Sequence, residues 1–322
     1  MMIRQLVVLG LLFVSGVGTA QEWPARPVRV IVGYAPGGGH DFAARLVASR
    51  LADALKQPFV VENRPGASGT IATELVSKSA PDGTTLLVAS PAETVVGGFA
   101  GLRMNYDWEK DLAPVTIIGE TPLAVAVHPS VPVQTIEQLL DFARNNPGKL
   151  SYGTPGSGSS MHFAGESMKA ISNIFIVHIG YRGAGPAMVD LLGGQVNMAI
   201  VGMPPVMGPH KSGKVKIVAV TSEKRSAATP DIPAMAELPG YQGYHFTNWQ
   251  GIFVAAKTPQ PLVERIAAEI IKVVREPDIR NRLLGAGVDP LGLSTAEFAK
   301  FLEREKQTYS QIAKTRNIKA DD

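Results

Sequence analysis

The sequence predicts an α/β protein with two lobes, each a mostly parallel sheet flanked by helices. Short apolar runs alternate with segments whose apolar residues recur at helical spacing, and this alternation is typical of parallel strands joined by helices. The alternation restarts near Leu123, which indicates a second unit. The chain has 322 residues, enough for two units of ordinary domain size.

The elements of the first half follow from local patterns. The segment 41–55 places Phe42, Leu46 and Leu51 at roughly helical spacing, whereas the strands are short runs of aliphatic residues. A break at Gly119 to Pro122 separates two such strands and is the expected crossing between the lobes. The predicted strands are 28–33, 59–61, 85–89, 115–118 and 123–127, and the predicted helices are 41–55, 70–77 and 136–145.

The second half shows the same alternation and ends in three helical patterns. The loop-rich stretch 227–248 is the expected return between the lobes. The resulting boundaries are residues 21–121 plus 246–322 for lobe 1 and residues 122–245 for lobe 2. The predicted strands are 150–153, 175–179, 196–201, 215–220 and 251–255, and the predicted helices are 160–171, 186–192, 261–275, 278–284 and 296–316.

The first twenty residues are interpreted as an export signal. Arg4 precedes the apolar run Leu6 to Val14, and the segment ends in Gly18-Thr19-Ala20, a small-residue cleavage pattern. The run is too short to remain as a membrane-spanning helix. Because the chain has no cysteine for a disulfide or a lipid anchor, the expected location after cleavage at Ala20 is the periplasm of a Gram-negative cell.

Composition argues against several classes of function. Lys and Arg number 31 against 28 Asp and Glu, and the net charge of +3 comes without a basic run, so no nucleic acid is expected as a partner. The absence of cysteine excludes thiolate metal sites and a cysteine nucleophile. His162 and Glu166 stand at helical i, i+4 spacing, which alone is a weak metal signal. We therefore expect neither a metal nor a cofactor.

The most informative segment runs from Tyr34 to Asp41 and reads Tyr-Ala-Pro-Gly-Gly-Gly-His-Asp. It falls where the first predicted strand gives way to the first helix. A helix start carries free N–H groups and a partial positive charge, and glycines let the backbone approach a ligand closely. The combination predicts an anion-binding loop. The alternative is a tight turn in which Asp41 or His40 caps the helix.

A second loop of this kind lies between another predicted strand and helix, from Gly153 to Ser160. Its hydroxyl groups, on Thr154, Ser157 and Ser159 among others, add side-chain donors to the free N–H groups of the helix start. Two such loops, one in each lobe, predict a small anion held in one cleft, since ligands of α/β proteins bind at the carboxyl ends of strands. The alternative is a flexible Gly/Ser connection.

Eight short motifs resemble the TctC-like, or Bug, family of extracytoplasmic solute receptors of tripartite tricarboxylate transporters. They occur in the family's order and cover nearly the whole chain after the export signal. The motifs are Pro36-Gly37-Gly38-x-x-Asp41, Glu62-Asn63-Arg64-Pro65-Gly66-Ala67-x-Gly69, Ala80-Pro81-Asp82-Gly83-x-Thr85-Leu86, Tyr152-Gly153-Thr154-x-Gly156-x-Gly158-Ser159, Tyr181-Arg182-Gly183-x-x-Pro186-Ala187, Asp190-Leu191-Leu192-Gly193-Gly194-Gln195-Val196, Ala219-Val220-Thr221 with Arg225, and Pro230-Asp231-Ile232-Pro233.

The resemblance implies a two-lobed periplasmic binding protein of the type II, Venus-flytrap kind. Such a receptor is a monomer that closes on a small carboxylate, catalyses no reaction and passes the ligand to permease subunits in the membrane. Asp190 matches a position that lies near the ligand in relatives that bind amino acids. The expected ligand-binding residues are Tyr34, Ala35, Gly37, Gly38, Gly39, His40, Asp41, Ser90, Gly153, Thr154, Ser157, Gly158, Ser159, His162 and Asp190.

Three positions depart from the family pattern, and two other functions stay open. His40 stands where a small or hydroxyl residue is expected, Thr84 replaces an aromatic residue, and Gly180 replaces proline. Because His40 lies in the first loop, the identity of the carboxylate is left open. The alternatives are an exported hydrolase that uses a serine in 157–160 with His162, and a ligand-binding partner of a sensor kinase.

Overall fold

The computed structural model describes residues 23–226 and 229–316. The expected export signal, with its cleavage site after Ala20, lies outside the described residues, as do two residues of the expected return loop. Within the two described ranges, no helix is both long enough and apolar enough to cross a membrane.

The first unit consists of β1 (Val28–Val32), α1 (Gly39–Leu55), β2 (Phe59–Asn63), α2 (Thr70–Ser77) and β3 (Thr85–Ala89). β1 lies between β2 and β3 and is parallel to both strands. All five elements match the predicted ones to within two residues, because each carries a clear apolar pattern.

The chain then forms a π-helical turn at Ala92–Val96 and two short helices, α3 (Gly97–Ala100) and α4 (Trp108–Asp111), before the long strand β4 (Leu112–Val127). The turn and the two helices were not predicted from the sequence. Segments of four or five residues are too short to show a helical period.

The next unit consists of α5 (Ile136–Asn145), β5 (Ser151–Thr154), α6 (Ser160–Ser172), β6 (Val177–Gly180), α7 (Ala184–Leu192), β7 (Met198–Gly202), α8 (Met203–Lys211) and β8 (Lys216–Val220). β5 lies between β6 and β7 and is parallel to both. The helix α8 was missed in the sequence because it contains Pro204, Pro205 and Pro209. Proline is well tolerated in the first turn of a helix, which accommodates two of the three.

The described chain ends with β9 (Thr247–Ala255), α9 (Gln260–Arg275), α10 (Pro277–Gly285), the two-residue strand β10 (Asp289–Pro290) and α11 (Thr295–Arg316). The strand β9 begins four residues before the predicted start at 251. The polar residues Asn248 and Gln250 interrupt the apolar pattern there, although both side chains are buried.

The predicted break at Gly119 to Pro122 is wrong, because β4 is one continuous strand of 16 residues. Up to Pro122 it pairs with β9, and from Leu123 onward it pairs with β7 and β8. Proline offers no N–H to a sheet, and Pro122 occupies the point at which β4 changes partners. Gly119 lies against β10, where a Cβ atom would come within 2.6 Å of the Asp289 carbonyl oxygen. These two residues mark a change of partners and not the end of a strand.

The strands form one curled, mixed sheet in the order β2-β1-β3-β9-β4-β7-β5-β6, with β8 and β10 also paired to β4. The outer pairs are parallel, as predicted. The pairs that involve β4 or β9 are all antiparallel, so these two strands separate the parallel pairs on one side of the sheet from those on the other. The strand β4 passes the proposed lobe boundary at 121/122, and β9 begins just after the proposed boundary at 245/246. Both boundaries stay a prediction.

Buried aromatic side chains fix α11 against the middle of the sheet. The ring of Phe298 packs edge-on against Trp249 and Phe253, at centroid distances of 6.1 and 5.3 Å. Trp249 Nε1 also donates a hydrogen bond to Glu305 of α11 (2.9 Å). Gly251 lies beneath these rings, and a Cβ atom there would come within 2.6 Å of the Phe298 ring.

We therefore expect Gly251→Ala to lower the free energy of unfolding by about 1 to 3 kcal/mol, because three packed rings would have to move. Urea denaturation of the purified protein measures this change. Gly285→Ala in α10 is the matched control, since no heavy atom lies within 4 Å of a Cβ atom placed there. Equal stability of the two variants would contradict the packing argument.

Candidate functional site

Four helix N-termini meet around one cleft in the middle of the molecule. The cleft holds about 470 Å³ of empty space, part of it open to solvent. The first residues or N-caps of α1, α6, α7 and α8 line it, and each of these helices follows a strand of the sheet. A helix start carries roughly half a positive charge and several free N–H groups. The electrostatic field of these helix starts therefore favours an anion in the cleft.

Three of these four helices have a glycine as N-cap, whereas the Ser159 side chain caps α6. Gly38, Gly183 and Gly202 cap α1, α7 and α8 without any side-chain hydrogen bond to the helix start. None of the side chains lining the cleft in the described part of the chain belongs to Asp, Glu, Lys or Arg. An anion in this cleft would be held by neutral donors and helix dipoles.

His40 adds a neutral ring to the wall of the cleft. Its Nε2–H donates to the Trp249 carbonyl oxygen (3.1 Å), which leaves Nδ1 as an acceptor. Burial of the ring lowers the pKa of His40 to about 4, so the side chain is uncharged at neutral pH. Its ring packs against Tyr34, at a centroid distance of 4.9 Å.

The buried carboxyl group of Glu93 forms hydrogen bonds with Tyr34 and Ser90, which both line the cleft. The Tyr34 hydroxyl donates to Glu93 Oε2 (2.8 Å), and the Ser90 N–H donates to Oε1 (2.7 Å). The Ser90 hydroxyl bonds to the same carboxyl group. The π-helical turn places Glu93 there, and Gly69 makes room, since a Cβ atom at Gly69 would lie 2.7 Å from Glu93 Cδ. Burial raises the pKa of Glu93 to about 7.

Ser159 has two roles in the second loop. It lines the cleft, and it caps α6: its Oγ accepts from the His162 N–H (3.2 Å) and donates to the Gly156 carbonyl oxygen (2.6 Å). His162 lies behind the loop, where its Nδ1 accepts from the Gly158 N–H (3.1 Å) and its ring stacks on His178 at 4.0 Å.

Within the described residues, no group of three or more His, Asp or Glu side chains is arranged to hold a metal ion.

The structure brings together part of the predicted site. The predicted residues that line the cleft are Tyr34, Gly38, Gly39, His40, Ser90 and Ser159. The predicted residues that do not line it are Ala35, Gly37, Asp41, Gly153, Thr154, Ser157, Gly158, His162 and Asp190. Ligand contact by any of these residues stays a prediction.

Two acidic residues of the predicted set bond to neighbouring groups of the chain. The Asp41 carboxylate accepts from the Gly37 N–H (3.1 Å), from Arg45 (2.9 Å) and from Asn63 (3.0 Å), and these hydrogen bonds outweigh burial and lower its pKa. Asp41 thus fixes the loop before α1 without capping the helix, since the N-cap Gly38 forms no side-chain hydrogen bond. Asp190 accepts from the Tyr181 hydroxyl (2.7 Å).

Sequence reasoning missed the floor of the cleft. Thr121 of β4 and Asn248 and Gln250 of β9 line it, and each is at most 5% exposed. The missed signal is a pair of amide side chains at alternating positions near the start of a strand whose residues are all buried. The other lining residues outside the predicted set are Pro155, Ser160, Met161, Ala184, Gly202 and Pro204.

A family profile described as "Tripartite tricarboxylate transporter family receptor" matches residues 43–318. The chain belongs to this receptor family. The protein BugT of Bordetella pertussis (strain Tohama I) is 32% identical over 324 residues, which cover 99% of each chain. The resemblance inferred from the eight motifs is confirmed.

Solved structures of two relatives have the same fold as this chain. Rpa4515 of R. palustris, solved with adipate, has a TM-score of 0.89 and 30% identity over 92% of this chain and 99% of its own. MatC from Rhodopseudomonas palustris, solved with bound malate, has a TM-score of 0.84 and 27% identity over 90% of this chain and 100% of its own. The predicted fold class, a two-lobed periplasmic binding protein, is confirmed. The family is one of solute receptors and not a class of enzymes.

The buried carboxyl group of Glu93 makes the stability of the folded chain depend on pH. Because the pKa of Glu93 is about 7 in the folded chain against an ordinary value of 4.5, its contribution to stability is complete below pH 4.5 and falls as the pH rises through 7. We expect this group to lower the free energy of unfolding by about 3 kcal/mol between pH 4.5 and pH 8, and Glu93→Gln to remove that decline.

Urea denaturation between pH 4.5 and 8 compares wild type with Glu93→Gln. Glu137→Gln on the exposed face of α5 is the control, which should follow the wild type. A difference between wild type and Glu93→Gln that stays constant over this pH range would show that Glu93 does not titrate in it.

Proposed function

We propose that this protein is an exported periplasmic receptor that captures a small organic acid and delivers it to the membrane permease of a tripartite tricarboxylate-type transporter. The observation that carries the proposal is the convergence of four helix N-termini, three of them capped by glycine, on a cleft whose described lining includes no Asp, Glu, Lys or Arg side chain. Adipate and malate bound to two relatives support a carboxylate as the ligand class.

Closure of the two proposed lobes is the expected mechanism of capture. Contacts across the proposed boundary are those of a closed state: Ser68 Oγ donates to the Ser157 carbonyl oxygen (2.5 Å), and the Ala35 N–H donates to the Arg182 carbonyl oxygen (3.0 Å). These contacts must open to admit a ligand and reform around it. A ligand that touches both sides then shifts the population toward the closed state.

The same loops argue against the hydrolase alternative. The Ser159 hydroxyl is engaged as the N-cap of α6, and His162 accepts from the loop backbone through Nδ1. Both groups thus help to hold the loop in shape, which supports a binding loop over a nucleophile with its base. The receptor would act as a monomer, and the proposed signal at residues 1–20 would direct its export.

A thermal-shift experiment tests this function on the chain from residue 21 onward, refolded from denaturant to remove bound ligand. A ligand that binds only the folded state adds about 2.7 kcal/mol at 100 times its Kd, so a cognate acid should raise Tm by several degrees. The panel contains mono-, di- and tricarboxylates, including adipate and malate, with 1,6-hexanediol as the uncharged counterpart of adipate. No shift with any acid would refute the receptor function, and Ser159-dependent cleavage of a chromogenic ester would favour the hydrolase.

Gly38 tests the first loop. A Cβ atom there would lie 3.5 Å from Ala184 Cβ, an ordinary contact, and its φ of −89° suits any residue. We therefore expect Gly38→Ala and Gly38→Val both to fold, while the branched side chain of valine keeps the ligand from the start of α1. Calorimetric titration with the best acid of the panel should show at least a tenfold loss of affinity for valine, or about 1.4 kcal/mol. Wild-type affinity in Gly38→Val would remove this loop from the site.

A further inference from the structure

The floor of the cleft is polar where the surrounding sheet is apolar. Thr121 lies directly opposite Asn248 in the antiparallel pair of β4 and β9, and Gln250 lies two residues further along β9. Side chains at alternate positions of a strand share a face, so these three groups project together from the middle of the sheet into the cleft. Thr121 and Gln250 are each only 1% exposed.

The polar atoms of two of these side chains have no partner among the described residues. Neither Oε1 nor Nε2 of Gln250, nor Oγ1 of Thr121, forms a hydrogen bond to another group in the described part of the chain. Buried polar atoms in folded proteins are nearly always paired, because an unpaired one is destabilising. The sheet itself gains nothing from an amide at this position. The unpaired atoms point to a hydrogen-bonding group of the ligand.

The donors and acceptors on the floor limit what that group is. Gln250 Oε1 only accepts and Nε2 only donates, whereas a threonine hydroxyl does both. A carboxylate has no proton to donate to Oε1. An ammonium group has no lone pair that could accept a hydrogen bond from Nε2. It is also repelled by the four positive helix ends, and the described side chains that line the cleft include no carboxylate to pair with it. A neutral hydroxyl group both donates and accepts.

We infer that Gln250 and Thr121 select a hydroxy acid, whose carboxylate meets the helix N-termini and whose hydroxyl donates to Gln250 Oε1 and accepts from Thr121 Oγ1 or Gln250 Nε2. The inference rests on the proposed receptor function and adds the class of acid. It also separates hydroxy acids from amino acids, since the helix ends repel an ammonium group and the described side chains that line the cleft include no carboxylate.

Calorimetric titration of the refolded chain from residue 21 onward tests this selection. It uses three sets of acids, and the acids within a set differ from one another in one substituent. The sets are lactate, alanine and propionate; malate, aspartate and succinate; and 3-hydroxybutyrate, 3-aminobutyrate and butyrate. Within a set that binds, the hydroxy acid should bind at least about tenfold more tightly than the other two, because each of these leaves buried atoms unpaired. Adipate, which has no hydroxyl, is included as a separate probe.

Gln250→Met shows whether the floor is responsible for the preference. Methionine has nearly the same length and cannot form either hydrogen bond, so the ratio between hydroxy acid and unsubstituted acid should fall toward one while the Tm of the ligand-free protein stays the same or rises. A purely structural role for Gln250 would instead lower that Tm and keep the ratio. Gln260→Met on the exposed start of α9 makes the same chemical change away from the cleft and should keep both values.

The outcomes separate the two proposals. If an unsubstituted or amino acid binds as tightly as its hydroxy counterpart, or if only adipate binds, the hydroxy-acid inference is wrong and the receptor function stands. If Gln250→Met keeps the full preference, the floor does not select the hydroxyl. If neither the nine acids nor adipate nor any acid of the wider panel binds, the receptor function itself fails and the inference with it.

Discussion

The antiparallel pairing of β4 with β9 is the constraint on which the rest of the structure depends. The two strands run side by side from Leu112 and Ala255 to Pro122 and Thr247, and the remaining strands are added on either side of them. Every residue of β9 is buried. The same pair supplies the floor of the cleft, so its register determines how the helix ends from both parts of the sheet face each other. The packing of the sheet depends on this one ladder of hydrogen bonds, and so do the lobe closure and ligand contact of the proposed receptor.

Uncharged groups suit a receptor that must release what it captures. An arginine buried against a carboxylate would make a strong bidentate pair that is difficult to separate. Glycine-capped helix starts and a histidine kept neutral by burial offer several weaker contacts, which are lost one after another as a cleft opens. In the proposed receptor, the described lining of the cleft offers no charged side chain that would fix where a carboxylate lies, so ligands of different length are expected to bind.

The sequence predicts the elements of the fold well and the lining of the site only in part. Apolar periodicity locates most strands and the longer helices, because burial of one face is a local property of the pattern. It cannot distinguish a glycine-proline break from a change of strand partner, as at Gly119 and Pro122. Nor can apolar periodicity tell which residues of a loop face a cleft. Gly38 lines the cleft, whereas the side chain of Asp41, three residues later, forms hydrogen bonds with Arg45 and Asn63 instead. The floor residues come from strands far apart in the chain and meet only in three dimensions.

The positions of the four helix starts in the sequence determine at which stage of folding the chain can first bind a ligand. Their caps are residues 38, 159, 183 and 202, and the floor adds Thr121, Asn248 and Gln250. A fragment must therefore span at least residues 38–250 to contain these groups. Contacts this distant in sequence form late, when most of the chain has already collapsed. If the chain is exported unfolded, it crosses the membrane without a site for the organic acids of the cytoplasm. Affinity then arises only in the compartment where the solute is to be collected.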